Sequence, residues 1–249
     1  MRRSDGKISS SYDIYEALSP HYREYSESRG AYLEAVDRIL IRDMPRGATS
    51  LLDVGAGDGV RASRIARARE ISTWVLAEPC EAMVLRCREK GASEVWPVAA
   101  EQLPEAGGSF DVITCLWNVL GHLPNHDARV RALTRMRGLM AKNGVIFFDV
   151  NNRYNARSYG WLTTLGRIVY DRIHPSESNG DVSFEWHVDG KRISSRGHLF
   201  TPGEADRLIR GAGLAIVQRY VVDYRNGERR RTVFEGQLLY EVRQEAVRE

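Results

Sequence analysis

The sequence predicts an α/β fold in which a mostly parallel sheet of seven strands carries helices on both faces. From about residue 50 to residue 150, short apolar segments of strand length alternate with longer segments of helical periodicity. A glycine-rich turn joins the first of these strands to the helix that follows it. Strands that are separated by helices pair in parallel, because each crossover returns the chain to the same end of the sheet.

The composition excludes several classes of protein. Of the 249 residues, 43% are hydrophobic and 28% are charged, values typical of globular domains, and the net charge is only +3. No apolar run approaches the roughly 20 residues that cross a bilayer, and no apolar stretch follows the basic amino terminus as in a secretion signal. We therefore expect a cytoplasmic protein that contacts no membrane. The net charge alone does not predict a nucleic-acid partner.

The first 45 residues are predicted to form a helical lid over the main domain, which would comprise residues 46–249. Apolar and aromatic positions between residues 11 and 41 recur at helical spacing, and Pro20 interrupts them, so two helices are expected. Five strands are then predicted at residues 50–54, 74–77, 95–97, 110–116 and 145–150. The helices between them are predicted at about residues 60–70, 81–90 and 127–140, the last one capped at Asn143 and Gly144.

An insertion is predicted at about residues 151–200, after the fifth strand. It begins with a helix whose apolar face must be covered by this chain or by a partner, so a homodimer is a candidate arrangement. That face consists of Leu162, Leu165, Val169 and Ile173. A hairpin follows, in which residues 182–188 and 191–200 flank the two-residue turn Asp189-Gly190. A helix at residues 202–212 and two strands at residues 214–222 and 233–243 complete the seven-stranded sheet.

The segment Leu51-Leu52-Asp53-Val54-Gly55-Ala56-Gly57-Asp58-Gly59 is the strongest functional signal. It is a buried strand that ends in an acidic residue and glycines, and it opens a helix. It resembles the nucleotide-binding motif of class I S-adenosylmethionine-dependent methyltransferases, which implies a Rossmann-like domain. Gly55, Ala56 and Gly57 would let the backbone approach the cofactor, and Asp53 would organise its ammonium group. The resemblance implies S-adenosylmethionine as cofactor and S-adenosylhomocysteine as product.

A dinucleotide site is the rival interpretation of this turn. That site requires the pattern Gly-x-Gly-x-x-Gly, with a pyrophosphate at the helix amino terminus. Here the third glycine position is Val60. An acidic residue early in the turn would also repel a pyrophosphate, whereas it suits a cationic sulfonium ligand.

The resemblance assigns further cofactor contacts. Glu78 ends the second predicted strand and would accept hydrogen bonds from both ribose hydroxyls. Pro79 and Met83 would flank the adenine, although a core role for Met83 is equally consistent with the sequence. The segment at residues 97–104 resembles the one that contacts adenine, but Ala99 stands where the family often has Asp. Ala100 together with Glu101 or the backbone would then hold the adenine.

The segments at residues 116–124 and 14–22 are similar to those of small-molecule methyltransferases, including glycine and aminosugar N-methyltransferases. Leu116 would border the methionine portion, and Trp117 and Asn118 would border the acceptor. Tyr15 and Tyr22 would close over the cofactor, or they would only pack the helices together.

His122 is the candidate general base, because it follows the fourth strand near the ligand edge of the sheet. It could equally brace its loop. His126 lies four residues later, but Pro124 prevents a shared helical turn and no third ligand is evident, so no metal site is expected. The cysteines Cys80, Cys87 and Cys115 also lack metal-ligand spacing.

Three residues after the fifth strand, Asn151, Arg153 and Tyr154, are predicted to line the acceptor pocket, because ligands of such sheets bind at the carboxyl ends of strands. His187, on the polar face of the hairpin, could reach the same pocket. Arg229-Arg230-Arg231 could bind a phosphate group or RNA, or form a solvated turn.

The sequence therefore predicts an S-adenosylmethionine-dependent methyltransferase that acts on a nitrogen, oxygen or carbon atom of a small molecule. An RNA methyltransferase and a non-catalytic cofactor-binding protein are the alternatives. The acceptor, the atom methylated, the use of a general base and the oligomeric state stay open.

Overall fold

The computed structural model describes residues 11–105, 109–188 and 190–245, and it leaves the side chains of residues 11–14, 186–188 and 191 undescribed. The strands are β1 Ser50–Val54, β2 Thr73–Ala77, β3 Glu94–Trp96, β4 Phe110–Cys115, β5 Met140–Val150, β6 Asp181–Val188, β7 Lys191–His198, β8 Leu214–Val222, β9 Arg229–Arg230 and β10 Gln237–Gln244. The helices are α1 Ser11–Leu18, α2 Tyr22–Glu27, α3 Gly30–Asp43, α4 Val60–Ala68, α5 Glu81–Arg88, α6 Val119–His122, α7 His126–Leu139, α8 Ala156–Tyr159, α9 Trp161–Ile173 and α10 Pro202–Gly211.

The central sheet confirms the predicted α/β class. Its strand order is β3-β2-β1-β4-β5-β10-β8-β9. The strands β1 to β5 pair in parallel, and β10 pairs antiparallel with both β5 and β8. The prediction of seven strands was one short, because Arg229 and Arg230 pair with the end of β8 and add an eighth strand at the edge.

Each face of the sheet has its own apolar core. Successive residues of a strand point to opposite faces, so Phe147 and Phe148 of β5 belong to different clusters. Phe148 packs with side chains of α7 and α10 such as Leu133 and Ile209. Phe147 packs with side chains of α3 and α4 such as Leu40 and Ile65. The sheet therefore carries helices on both faces, as predicted. The carboxyl ends of its parallel strands lie between the two layers of helices.

Two local predictions were wrong at the ends of elements. Pro20 lies in a short 3₁₀ turn, Ser19–His21, and three helices rather than two form before β1. Helix α7 ends at Leu139, and Met140 is already extended and pairs with Phe110 of β4. The predicted cap at Asn143 and Gly144 therefore lies inside β5, because pairing with β4 outweighs the local preference for a turn. The division of the chain at residue 45 stays a prediction.

The insertion forms a helical segment and a separate two-stranded sheet. Strands β6 and β7 pair in the predicted register, with Trp186 opposite Ile193 and His187 opposite Arg192. The inward side of α9 carries the fully buried Thr164. Its apolar outward side is exposed, and Leu162 is 87% accessible, so no described part of this chain covers that side.

The described residues contain neither a candidate membrane span nor a candidate metal cluster. None of the described helices has the length and apolar character needed to cross a bilayer. Nor does any group of three or more His, Cys, Asp and Glu side chains among the described residues lie where it could hold a metal ion.

Candidate functional site

The glycine-rich turn leads from β1 into α4 at the carboxyl edge of the sheet. Gly55 and Gly57 have φ angles of 72° and 57°, in the left-handed region that glycine adopts without strain. A Cβ atom at Gly57 would overlap the hydroxyl oxygen of Tyr22, and one at Gly55 would overlap Val119. Glycine is therefore required at both positions by conformation and by space.

Glu78 lies directly after β2 and is bound to the turn. Its two carboxylate oxygens accept hydrogen bonds from the backbone amides of Gly57, at 2.8 Å, and Cys80, at 3.0 Å. Burial raises the pKa of Glu78 to about 7, and the hydrogen bonds from the two backbone amides oppose that rise. The carboxyl group is thus held at the turn in a state that can gain or lose a proton near neutral pH.

Asp53, the penultimate residue of β1, lies on the other side of the turn. Its carboxylate accepts a hydrogen bond of 2.6 Å from the hydroxyl of Thr114 in β4. Burial raises the pKa of Asp53 to about 6, and the hydroxyl of Thr114 and the guanidinium of Arg61 oppose the rise. Two carboxyl groups with raised pKa values therefore flank one glycine turn, an arrangement common at functional sites.

Two clefts open on this turn, and they share Tyr22, Gly55, Leu116 and Trp117. The turn cleft, on the side of Glu78, is lined by eight of the predicted cofactor residues: Tyr15, Tyr22, Gly55, Gly57, Glu78, Pro79, Ala100 and Leu116. The charged cleft, on the side of Asp53, is also lined by Ala56. Met83 and Glu101 line neither cleft. Met83 is fully buried beside Leu18 and Cys80.

Sequence reasoning missed Arg61, which lines the charged cleft from the first turn of α4. Its guanidinium pairs with the buried Asp37 of α3, yet its second terminal nitrogen has no hydrogen-bond partner among the described residues. A basic residue in the first turn of a helix opposes the helix dipole, and this was the available signal. Arg61 supplies a fixed positive charge to the charged cleft.

The wall beyond β4 has an unusual backbone. Trp117 and Asn118 both adopt left-handed conformations, with φ angles of 65° and 62°. Asp149 of β5 stabilises them, because its carboxylate accepts hydrogen bonds from both backbone amides and from the hydroxyl of Tyr32. The side-chain oxygen of Asn118 in turn accepts a hydrogen bond of 2.8 Å from the amide of Asn151. No motif in the sequence pointed to Asp149, because its partners lie more than 30 residues away.

His122, the last residue of α6, faces the turn cleft. Its Nε2 atom lies 3.2 Å from the hydroxyl oxygen of Tyr15, and its Nδ1 atom has no hydrogen-bond partner among the described residues. Burial lowers the pKa of His122 to about 4. The imidazole is therefore neutral at physiological pH, and its Nδ1 atom is buried without a hydrogen-bond partner among the described residues.

A third space, which we call the aromatic cavity, lies behind this wall. Four of the predicted catalytic and substrate residues line it: Trp117, Asn118, His122 and Asn151. Tyr15, Trp117 and His122 line both the aromatic cavity and the turn cleft, so they form the boundary between the two.

The other predicted substrate residues lie elsewhere. Arg153 and Tyr154 line a separate polar cleft, where both bind the carboxylate of Asp171 in α9. They hold the inserted helix against the domain. The side chain of His187 lies outside those that the structure describes.

The arginine run lies at the edge of the sheet. Arg229 packs over the ring of Tyr220, and Arg230 pairs with Asp223 and Glu228. Two of its three charges are therefore used within the described fold.

Comparison with known proteins agrees with this geometry. A sequence model of the family described as "Methyltransferase domain" matches residues 22–219. Over 122 residues the chain is 34% identical to the ubiquinone biosynthesis O-methyltransferase of Sodalis glossinidius, a match that covers 47% of each chain. The chain thus spans about half the length of the curated relatives that it matches.

Solved structures of low sequence identity share the fold. The CcbJ methyltransferase from Streptomyces caelestis has a TM-score of 0.64 and 17% identity, over 86% of this chain and 90% of the other. CalS10, an amino pentose methyltransferase from Micromonospora echinaspora solved with S-adenosylmethionine bound, has a TM-score of 0.58 and 17% identity, over 89% and 95%. Because the family model covers most of the described domain, this chain belongs to the methyltransferase domain family.

Proposed function

We propose that this protein is an S-adenosylmethionine-dependent methyltransferase that acts on a small molecule. The observation that carries the proposal is the boundary formed by Tyr15, Trp117 and His122 between the turn cleft and the aromatic cavity. A cofactor on one side of this boundary and an acceptor on the other would meet there. The atom methylated is a nitrogen, an oxygen or a carbon.

The groups around the turn fit the chemistry of S-adenosylmethionine. Glu78 can accept hydrogen bonds from ribose hydroxyls, and Asp53 can attract the ammonium group of the methionine portion. The guanidinium of Arg61, which lines the charged cleft, can attract the carboxylate of that portion. The turn itself lacks Cβ atoms where the nucleoside would approach. Tyr22 lies over Gly57, so the segment at residues 11–29 would act as the lid.

Methyl transfer requires the chain to position the acceptor and to exclude water. When bound, S-adenosylmethionine supplies an activated methyl group on its sulfonium. The aromatic boundary keeps water away from that point, and Asp149 holds Trp117 in place through its backbone amide. His122 is uncharged at neutral pH, so its imidazole can take a proton from an acceptor hydroxyl.

Several observations favour a small-molecule acceptor over RNA. Side chains of the insertion line the aromatic cavity, and two of the three arginines at residues 229–231 are engaged within the fold. The three free cysteines are buried, which supports a reducing, cytoplasmic location.

The exposed outward side of α9 supports a homodimer. Sedimentation velocity would test this by comparing the mass of the Leu165→Glu variant in solution with that of the unchanged protein.

Isothermal titration of the purified protein with S-adenosylhomocysteine tests cofactor binding. We expect one site per chain, and a Glu78→Gln variant should bind at least tenfold more weakly. Transfer of a labelled methyl group to any acceptor in a fractionated metabolite extract then separates an enzyme from a non-catalytic binding protein. Absence of binding by the intact protein would contradict the proposed function.

A further inference from the structure

The aromatic cavity has an unbalanced electrostatic character. Six aromatic side chains line it: Tyr15, Tyr25, Trp117, Tyr159, Phe184 and Tyr224. Among the described residues its lining contains no aspartate or glutamate and one guanidinium, that of Arg167 from α9. Within this described lining a ligand therefore meets a positive charge and no negative charge.

Arg167 has no carboxylate partner among the described residues. Asp171, one helical turn further along α9, is the expected partner for Arg167, but its two oxygens bind Arg153 in bidentate fashion at 2.8 and 3.0 Å. Tyr154 and Asn179 occupy the remaining sites on Asp171. One nitrogen of Arg167 donates to the backbone carbonyl of Arg153 at 3.0 Å, which orients the guanidinium.

The other potential cations of the lining are already accounted for. His198 places both ring nitrogens against carboxylates, Asp181 at 2.7 Å and Glu204 at 2.6 Å. His122 is neutral because burial lowers its pKa. Burial, reinforced by the nearby guanidinium of Arg153, also lowers the pKa of Arg167. An anion bound to Arg167 would relieve that unfavourable environment.

Four of the six aromatic rings already have a partner on one face. The guanidinium of Arg167 lies 4.4 Å from the ring centre of Tyr159, and that of Arg29 lies 5.1 Å from the ring centre of Tyr224. Trp117 and Tyr25 stack on each other with ring centres 5.2 Å apart. These partners leave fewer ring faces for an ammonium group, which binds over such faces.

We infer that Arg167 binds a carboxylate group of the methyl acceptor, so that the substrate is an organic acid rather than an amine. The inference rests on the proposed function and names the substrate class of the same site. A planar guanidinium matches a carboxylate in bidentate geometry, whereas a phosphate dianion would need further cations that the lining does not offer. Arg167, which lines the aromatic cavity and not the turn cleft, is then a specificity-determining residue.

Three compounds of equal size and different charge test this inference. Benzoate, benzamide and benzylammonium are titrated by calorimetry into the protein saturated with S-adenosylhomocysteine. We expect benzoate to bind at least tenfold more tightly than benzamide, and benzylammonium to bind most weakly. Arg167→Gln should abolish the preference for benzoate, and Arg167→Lys should keep part of it because the charge remains without the planar fork.

Arg172→Gln is the matched control, because Arg172 lies on the same helix and is exposed. It should leave the order of affinities unchanged. Equal affinity for S-adenosylhomocysteine in all variants shows that the cofactor site is intact. If that ligand binds but benzoate has no advantage, including the case in which none of the three binds, the inference is overturned. If S-adenosylhomocysteine itself does not bind, the proposed function fails and the inference fails with it.

Discussion

The carboxylate of Asp149, near the end of β5, accepts a hydrogen bond of 3.3 Å from the backbone amide of Asn118, which follows β4. The same carboxylate binds the amide of Trp117. Both residues have positive φ angles, which cost about 1–2 kcal/mol each for residues with a side chain. The strained turn that presents Trp117 to the turn cleft and the aromatic cavity therefore depends on the buried carboxylate of Asp149.

Asp149→Asn should weaken this turn, because an amide cannot accept the same set of charge-assisted hydrogen bonds. We expect the free energy of unfolding to fall by about 1–3 kcal/mol and kcat to fall more than the affinity for S-adenosylhomocysteine. Asp43→Asn is the control, since Asp43 also accepts a tyrosine hydroxyl, from Tyr220 at 2.7 Å, but lines neither cavity. Equal effects of the two variants on kcat would contradict a positioning role for Asp149.

Glu78→Gln should change how stability depends on pH. Burial raises the pKa of Glu78 from 4.5 to about 7, so between these values the folded protein binds a proton that the unfolded chain releases. The contribution of this group to the free energy of unfolding is therefore present in full below pH 4.5 and lost as the pH rises through about 7. Urea unfolding of the variant should show a flatter dependence over this window. The remaining dependence includes Asp53, Asp149 and Glu241, whose pKa values burial also raises.

The affinity for S-adenosylhomocysteine should show the opposite trend. Ribose hydroxyls donate to the carboxylate form of Glu78, so affinity for the unchanged protein should rise between pH 6 and pH 8. In Glu78→Gln it should be about ten- to hundredfold weaker, and the rise should be much smaller. Glu81→Gln, at the exposed start of α5, should behave like the unchanged protein. A rise of equal size in Glu78→Gln would assign the titration to another group.

Gly57→Ala should damage the turn in two ways that a second variant separates. Alanine at a positive φ is strained, and its Cβ atom would overlap the hydroxyl of Tyr22. Gly91→Ala has the strain alone, because Gly91 has a φ of +81° and no atom within 4 Å of the added Cβ. We expect Gly91→Ala to lower the free energy of unfolding by about 1–2 kcal/mol without changing cofactor affinity. Gly57→Ala should lower both the free energy of unfolding and the affinity for the cofactor. Calorimetry that found cofactor affinity unchanged in Gly57→Ala would place the nucleoside elsewhere.

His122→Gln should lower kcat by about 10²- to 10⁴-fold if the acceptor loses its proton to this ring, with little change in cofactor affinity. Because burial lowers the pKa of His122 to about 4, its ionisation should not appear in the pH profile of kcat between pH 5 and pH 8. His126→Gln, at the start of α7, is the control and should keep kcat. An unchanged kcat in His122→Gln would mean that the residue only braces the loop through Tyr15.

The sequence alone determined the alternation of strands and helices, the parallel sheet and the glycine turn with Asp53 and Glu78. These features are local, because hydrophobic period, turn chemistry and the spacing between one strand and the next are written in neighbouring residues. Eight of the twelve predicted cofactor residues line a single cleft for the same reason. The eighth strand was not predicted, because Arg229 and Arg230 have no alternation of apolar and polar residues. They form a strand only because they pair with β8.

Only the tertiary structure decided which distant side chains meet. Asp149 contacts Trp117, and Arg61 pairs with Asp37, although no sequence pattern links the segments that carry them. In the same way Arg153 binds Asp171, so Arg167 has no carboxylate partner among the described residues. Arg153 and Tyr154 follow β5 as predicted, yet Asp171 draws them into a separate cleft. A buried charge takes the partner that the fold brings within reach, and that choice depends on packing rather than on neighbouring residues.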